Sequence, residues 1–312
     1  MPNGSALGQT THRGLWLSEY DDYADLPAQL ERTLLELLGA NASPALADKP
    51  SAAALAAAYH LGSGGHRVRG RLALGAGLAL GLSKPDALCI AAAAELLHNA
   101  SLVHDDLQDR DALRHGQEAV WVQFGANVAV WTGDLMLSAA YAALCEITPL
   151  HKLPALLAVV HERVAGAIAG QCADLGAGAH AVDDVAAYQR IAQAKSGALL
   201  SLPLELALLA SDHGAWAEHA RSAAEAFSVG YQVVDDLADV ERDSQSGALN
   251  IVFVLQQAGF GFGEAAYSKA RQLGCEHLDR AIALANELPR ESGALLVELS
   301  LKLRHLLTVK ND

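Results

Sequence analysis

Two apolar stretches of this chain each run into the pattern Asp-Asp-x-x-Asp. They are Leu102-Val103-His104-Asp105-Asp106-Leu107-Gln108-Asp109 and Tyr231-Gln232-Val233-Val234-Asp235-Asp236-Leu237-Ala238-Asp239. Residues four apart stack on one face of a helix, so Asp105 projects with Asp109 and Asp235 with Asp239. Like charges at that spacing destabilise an isolated helix. A chain that carries them twice on apolar helices has to fold so that a counter-charge reaches both. A third copy, Asp21-Asp22-Tyr23-Ala24-Asp25, has no long apolar helix before it and reads as a solvated surface cluster.

From Leu15 onwards apolar residues recur at helical spacing, interrupted by short breaks at Ser63-Gly64-Gly65, Ser83-Lys84-Pro85 and Thr148-Pro149. Alternating runs rich in β-branched residues are absent, so strands have no candidate. Alanine and leucine, both strong helix formers, dominate a chain that is 52% hydrophobic and 19% charged. The expectation is an all-α fold: residues 1–14 a mobile arm, residues 15–312 one domain of about ten to thirteen helices. The formal net charge of −14 repels phosphate backbones and argues against nucleic-acid binding. Cys89, Cys145, Cys172 and Cys275 form no CxxC pair, so neither a disulfide framework nor a zinc site is indicated. The first residues lack the apolar core of a signal peptide. No uninterrupted apolar run reaches the ~18–20 residues of a membrane span. A cytoplasmic protein without a membrane span is expected.

Carboxylate oxygens are hard ligands of the kind Mg²⁺ takes, one or two at a time, together with phosphate oxygens and water. Two facing acid-bearing helices would hold a diphosphate through Mg²⁺, neutralising the pyrophosphate as its carbon–oxygen bond breaks. The allylic cation left behind needs an apolar, water-free cavity, which Ala- and Leu-rich helices can line.

Further motifs follow in order. Gly64-Gly65-His66-Arg67-Val68-Arg69 resembles GGKRxR, and Leu113-Arg114-His115-Gly116 resembles LRRG. Phe124-Gly125 with Thr132-Gly133-Asp134 resembles an FG…GD segment. Gly170-Gln171-Cys172-Ala173-Asp174-Leu175 is similar to GQxxDL, Lys195-Ser196-Gly197-Ala198 to KTGAL, and Tyr231 to Asp239 to FQxxDDxxD. Together these resemble the trans-prenyl diphosphate synthases across residues 60 to 255. The resemblance implies an isoprenoid-synthase-type helical bundle around a central apolar cavity. It implies a homodimeric prenyltransferase that condenses an allylic prenyl diphosphate with isopentenyl diphosphate. Carried over, Asp105, Asp109 and Asp235 are the Mg²⁺ ligands, and Asp106, Asp236 and Asp239 complete the catalytic acids. Arg114, Lys195, Ser196 and Gln232 belong to the allylic diphosphate site. His66, Arg69, His98 and His115 fall where isopentenyl diphosphate is held. Ala100 and Ser101, small and just above the first acid cluster, imply an open tail route and a C20 product, with C15 next.

Three departures qualify the resemblance. His66 stands for a lysine, His115 for an arginine, and the stretch Arg242 to Asn250 lacks the expected lysines. Histidine titrates near ~6.5 whereas arginine is permanently charged, so the second site loses fixed cations. Rival readings are a class I terpene cyclase, a prenyltransferase with another acceptor, or a non-catalytic partner of an active synthase. Both acid clusters being intact argues against the last.

Overall fold

The computed structural model describes residues 25–39, 50–176 and 184–309. The expected arm at 1–14 and the acids Asp21 and Asp22 lie outside the described residues. Thirteen α-helices are present among those described: α1 (Leu26–Gly39), α2 (Ala52–Gly62), α3 (Val68–Ala79), α4 (Lys84–Asp109), α5 (Val120–Gln123), α6 (Ala126–Cys145), α7 (Leu153–Gly176), α8 (Val185–Ala192), α9 (Ala198–Ala210), α10 (Ala217–Ser246), α11 (Ile251–Gln257), α12 (Glu264–Glu287) and α13 (Ala294–Thr308). The all-α expectation is met.

The sequence dictates where the long helices start. Ser83 caps α4, its hydroxyl accepting from Asp86 N at 3.2 Å, with Pro85 in the first turn where no donor is needed. Asn250 caps α11 by accepting from Val252 N at 3.0 Å. Gly247, at φ 72°, ends α10 in the left-handed region open to glycine.

α9 is apolar on all sides and is correspondingly buried between two cores. Leu199, Leu202 and Leu206 enter one core with α4 and α6, while Leu200, Leu204 and Leu208 enter the other with α10, α12 and α13. Since α9 packs against α3, α4, α7 and α10, it joins the two acid-bearing helices.

The structure departs from the strandless expectation at one point. Leu113–Arg114 and Gln117–Glu118 pair as an antiparallel hairpin, β1 and β2. Its turn residues His115 and Gly116 both have positive φ, 50° and 81°, as a tight two-residue hairpin requires. Two-residue strands are too short to show as alternation.

Three helical segments are long and apolar enough to cross a membrane by length and composition alone: α4, α6 and Leu150–Ala173. Polar residues break each of them, so none contains an unbroken apolar run of that length. In α4 the apolarity has a structural cause, since 67% of its apolar window is buried inside the bundle, against 17% for Leu150–Ala173. All four cysteines are free.

Candidate active site

The first acid cluster occupies the last turn of α4, where no basic residue offsets the negative end of the helix dipole. Asp105 is half-buried and lines an apolar cavity with Leu97, Ala100, Leu137, Val164 and Leu199. Ser101 also lines it, so both small residues named for the tail route reach the cavity. Asp109 is exposed at the end of the helix. Asp106 differs from both. It is 1% exposed and receives Arg114 through Nε at 3.0 Å and through Nη2. Burial raises the Asp106 carboxyl, and the guanidinium works against that rise.

The second cluster repeats the division. Asp236, 2% exposed, accepts from Tyr188 Oη at 2.7 Å, Gln232 Nε2 at 2.8 Å and Ile251 N at 2.7 Å. Burial nonetheless pushes it up to about 6. Asn250 adds a tie, donating to Asp236 O at 2.8 Å and Asp243 Oδ2 at 2.9 Å. Asp235 is left outward, its carboxyl raised by burial and by the neighbouring charge of Asp239. Asp239 meets Arg242 at 2.8 Å, a cation in the segment that lacks the expected lysines. In both clusters the outer acids face out and the middle acid anchors the helix to its neighbours. Gln232, expected to line the allylic site, donates one amide hydrogen bond to Asp236 Oδ1.

Arg67, Arg69, Arg114, His60 and His98 lie close enough to feel one another's charge. His98 is held far below its ordinary range by burial and then by Arg69, His60, Arg114 and Arg67. Arg69 is lowered by burial and supported by Glu95, and its buried Nε has no hydrogen-bond partner among the described residues. Glu95, 1% exposed, accepts from Gly70 N at 2.8 Å and so pins the start of α3 to α4. Asn99 donates to Glu95 O at 2.7 Å, and its Oδ1 lies 3.1 Å from His60 Nε2. Arg67 is spent structurally on Glu31 at 2.7 Å and on the Leu61 carbonyl at 2.7 Å.

His66 and His115 are both exposed. A side chain at Gly65 would come within 3.8 Å of His115 Nε2, so the GG turn and the hairpin are adjacent. Lys195 lies on a π-helical turn, Gln193–Gly197, with its side chain outside the described residues; Ser196 is half-buried on the same turn. Sequence reasoning missed Tyr188, Asn250 and the cavity walls from α6, α7 and α9. Only the capping pattern at Asn250 left a readable signal.

Among the described residues no three His, Cys, Asp or Glu side chains gather as a metal cage. The acids are instead arranged as two pairs of carboxylates, Asp105 with Asp109 on α4 and Asp235 with Asp239 on α10. Such pairs fit a hard cation that keeps water and takes its remaining oxygens from a phosphorylated ligand.

A sequence model described as Polyprenyl synthetase matches residues 51–248. The chain is 31% identical over 205 residues to a short chain isoprenyl diphosphate synthase of Methanothermobacter thermautotrophicus, covering 62% of this chain and 60% of that one. It is 36% identical over 196 residues to a farnesyl diphosphate synthase of Haemophilus influenzae, covering 60% and 66%. It is 31% identical over 245 residues to a geranylgeranyl diphosphate synthase of Mycobacterium tuberculosis, covering 70% and 67%. The matches thus span about three fifths to two thirds of these relatives. In fold, the chain superposes on a geranylgeranyl pyrophosphate synthetase of Geoglobus acetivorans with a TM-score of 0.77 at 22% identity, over 90% of this chain and 98% of that one. With the family's motifs in order on a matching helical fold, this chain belongs to the polyprenyl synthetase family.

Proposed function

We propose that the chain is a Mg²⁺-dependent prenyltransferase that condenses an allylic prenyl diphosphate with isopentenyl diphosphate. The observation that carries this reading is Asp105 at the mouth of an apolar cavity walled by Leu97, Leu137, Val164 and Leu199. It pairs a site for a charged head with a site for a hydrocarbon tail. Asp105 and Asp109 on α4, with Asp235 and Asp239 on α10, would hold Mg²⁺. When bound, that metal neutralises charge on the departing pyrophosphate. Arg114 is held in place by Asp106 and turns its remaining donors to the allylic diphosphate. Arg69 holds the second diphosphate. His98, kept neutral by burial and then by the cations around it, offers that anion a hydrogen bond without adding charge. The cavity walls exclude water from the cation.

The cavity measures about 190 Å³. A cavity of about 150 Å³ takes a six-carbon ring, so roughly eight carbons fit here. Roughly eight carbons fall short of a ten-carbon tail, so the volume supports the shorter C15 product ahead of the C20 expected from Ala100 and Ser101. The exposed apolar side chains Trp131 and Tyr141 on α6 and Ile168 on α7 support a chain that works as a homodimer.

Product analysis of purified protein with each allylic diphosphate, with and without isopentenyl diphosphate, tests the reading. A longer prenyl diphosphate is the expected product. A hydrocarbon or alcohol made without isopentenyl diphosphate would transfer the chain to the cyclase reading that the exposed His66 and His115 motivate.

A further inference from the structure

Phe227, Tyr231, Asp235 and Asp239 recur every four residues on α10 and so share one face. The Tyr231 ring stacks on Phe227 with centroids 6.3 Å apart. Tyr231 is 44% exposed, although tyrosine usually buries its ring. Arg69, on α3, and Tyr231, on α10, each feel the other's charge, and Tyr231 also feels Asp235. The phenol therefore stands where the cation set meets the second acid pair. Its oxygen makes no hydrogen bond among the described residues, and the nearby Arg69 Nε is buried without a partner. The Tyr231 hydroxyl and Arg69 Nε are thus two unspent donors on different helices, close enough to feel each other's charge.

We propose that Tyr231 is a substrate-positioning residue whose hydroxyl donates a hydrogen bond to the diphosphate held by Arg69. The inference rests on the condensation reading and names a contact within its second-substrate site. Burial and the Asp235 charge push the phenol's pKa up, so it remains a donor throughout the neutral range. A neutral donor here offsets part of the binding lost where His66 and His115 replace fixed cations.

Tyr231→Phe keeps the ring and its stacking and removes only the donor. Hydrogen bonds to charged groups are strong enough that KM for isopentenyl diphosphate should rise roughly tenfold. The kcat value and the KM for geranyl diphosphate should stay near those of the wild type. An unchanged KM for isopentenyl diphosphate, or a loss confined to kcat or to the allylic substrate, overturns the proposal. Titration of inorganic pyrophosphate without metal gives a readout independent of turnover. Weaker binding by the variant supports Tyr231, and equal binding removes it. Should the wild type fail to condense, the condensation reading falls, while the pyrophosphate titration still decides whether Tyr231 contacts a diphosphate.

Discussion

His60 shows how a single side chain can carry pH dependence into the fold. It is 4% exposed and lowered to about 4 by burial and by Arg114, with Asn99 opposing and Arg67 and His115 adding to the fall. Below its ordinary value of 6.5 the unfolded chain takes up a proton that the folded chain refuses. Stability is therefore lost as pH falls from 6.5 to about 4, by up to about 3 kcal/mol from this residue. Urea unfolding at several pH values should show a smaller acid loss for His60→Gln, whose amide still donates to Asn99. Equal pH slopes for the two proteins would remove His60 from the account. Its position could be read in the sequence, but its environment could not. Asn99, Arg114 and Arg67 reach it from three separate segments.

At the scale of the element, the seam between α4 and α6 decides how the first acid cluster sits. A Cβ placed on Gly133 would lie 2.1 Å from His104 Nε2, so the imidazole rests directly on that glycine. Gly133→Ala should cost about 1–3 kcal/mol by overpacking and lower kcat by displacing the residue next to Asp105. Thermal melts and steady-state rates together check both effects. One turn further along the same face of α6, Leu137 closes the cavity. Leu137→Ala should move the product distribution toward longer chains, seen by chromatography of the dephosphorylated products. An unchanged distribution would place the floor elsewhere. The motif spacing marked both helices, whereas the contact between them needed the fold.

For the whole molecule, charge is the dominant feature. A chain of formal charge −14 that carries two pairs of outward acids should gain stability when cation and diphosphate arrive together. Magnesium plus pyrophosphate should raise Tm by more than the sum of the two ligands added singly. Activity should fall to background on chelation and return with Mg²⁺. Turnover that survives chelation would defeat the metal-dependent reading.

What the sequence determined alone was the helical class, the family and the two acid pairs. Helix periodicity and the i, i+4 relation are local properties that need no knowledge of packing. It also placed Asp106 and Asp236 off the shared face by one position, although it could not say what they would meet there. Only the tertiary structure decided that Asp106 meets Arg114, that Asp236 meets Tyr188, Gln232 and the backbone of Ile251, and that α6, α7 and α9 wall the cavity. Those partners come from distant segments brought together by burial of apolar faces, and burial is a property of the whole fold.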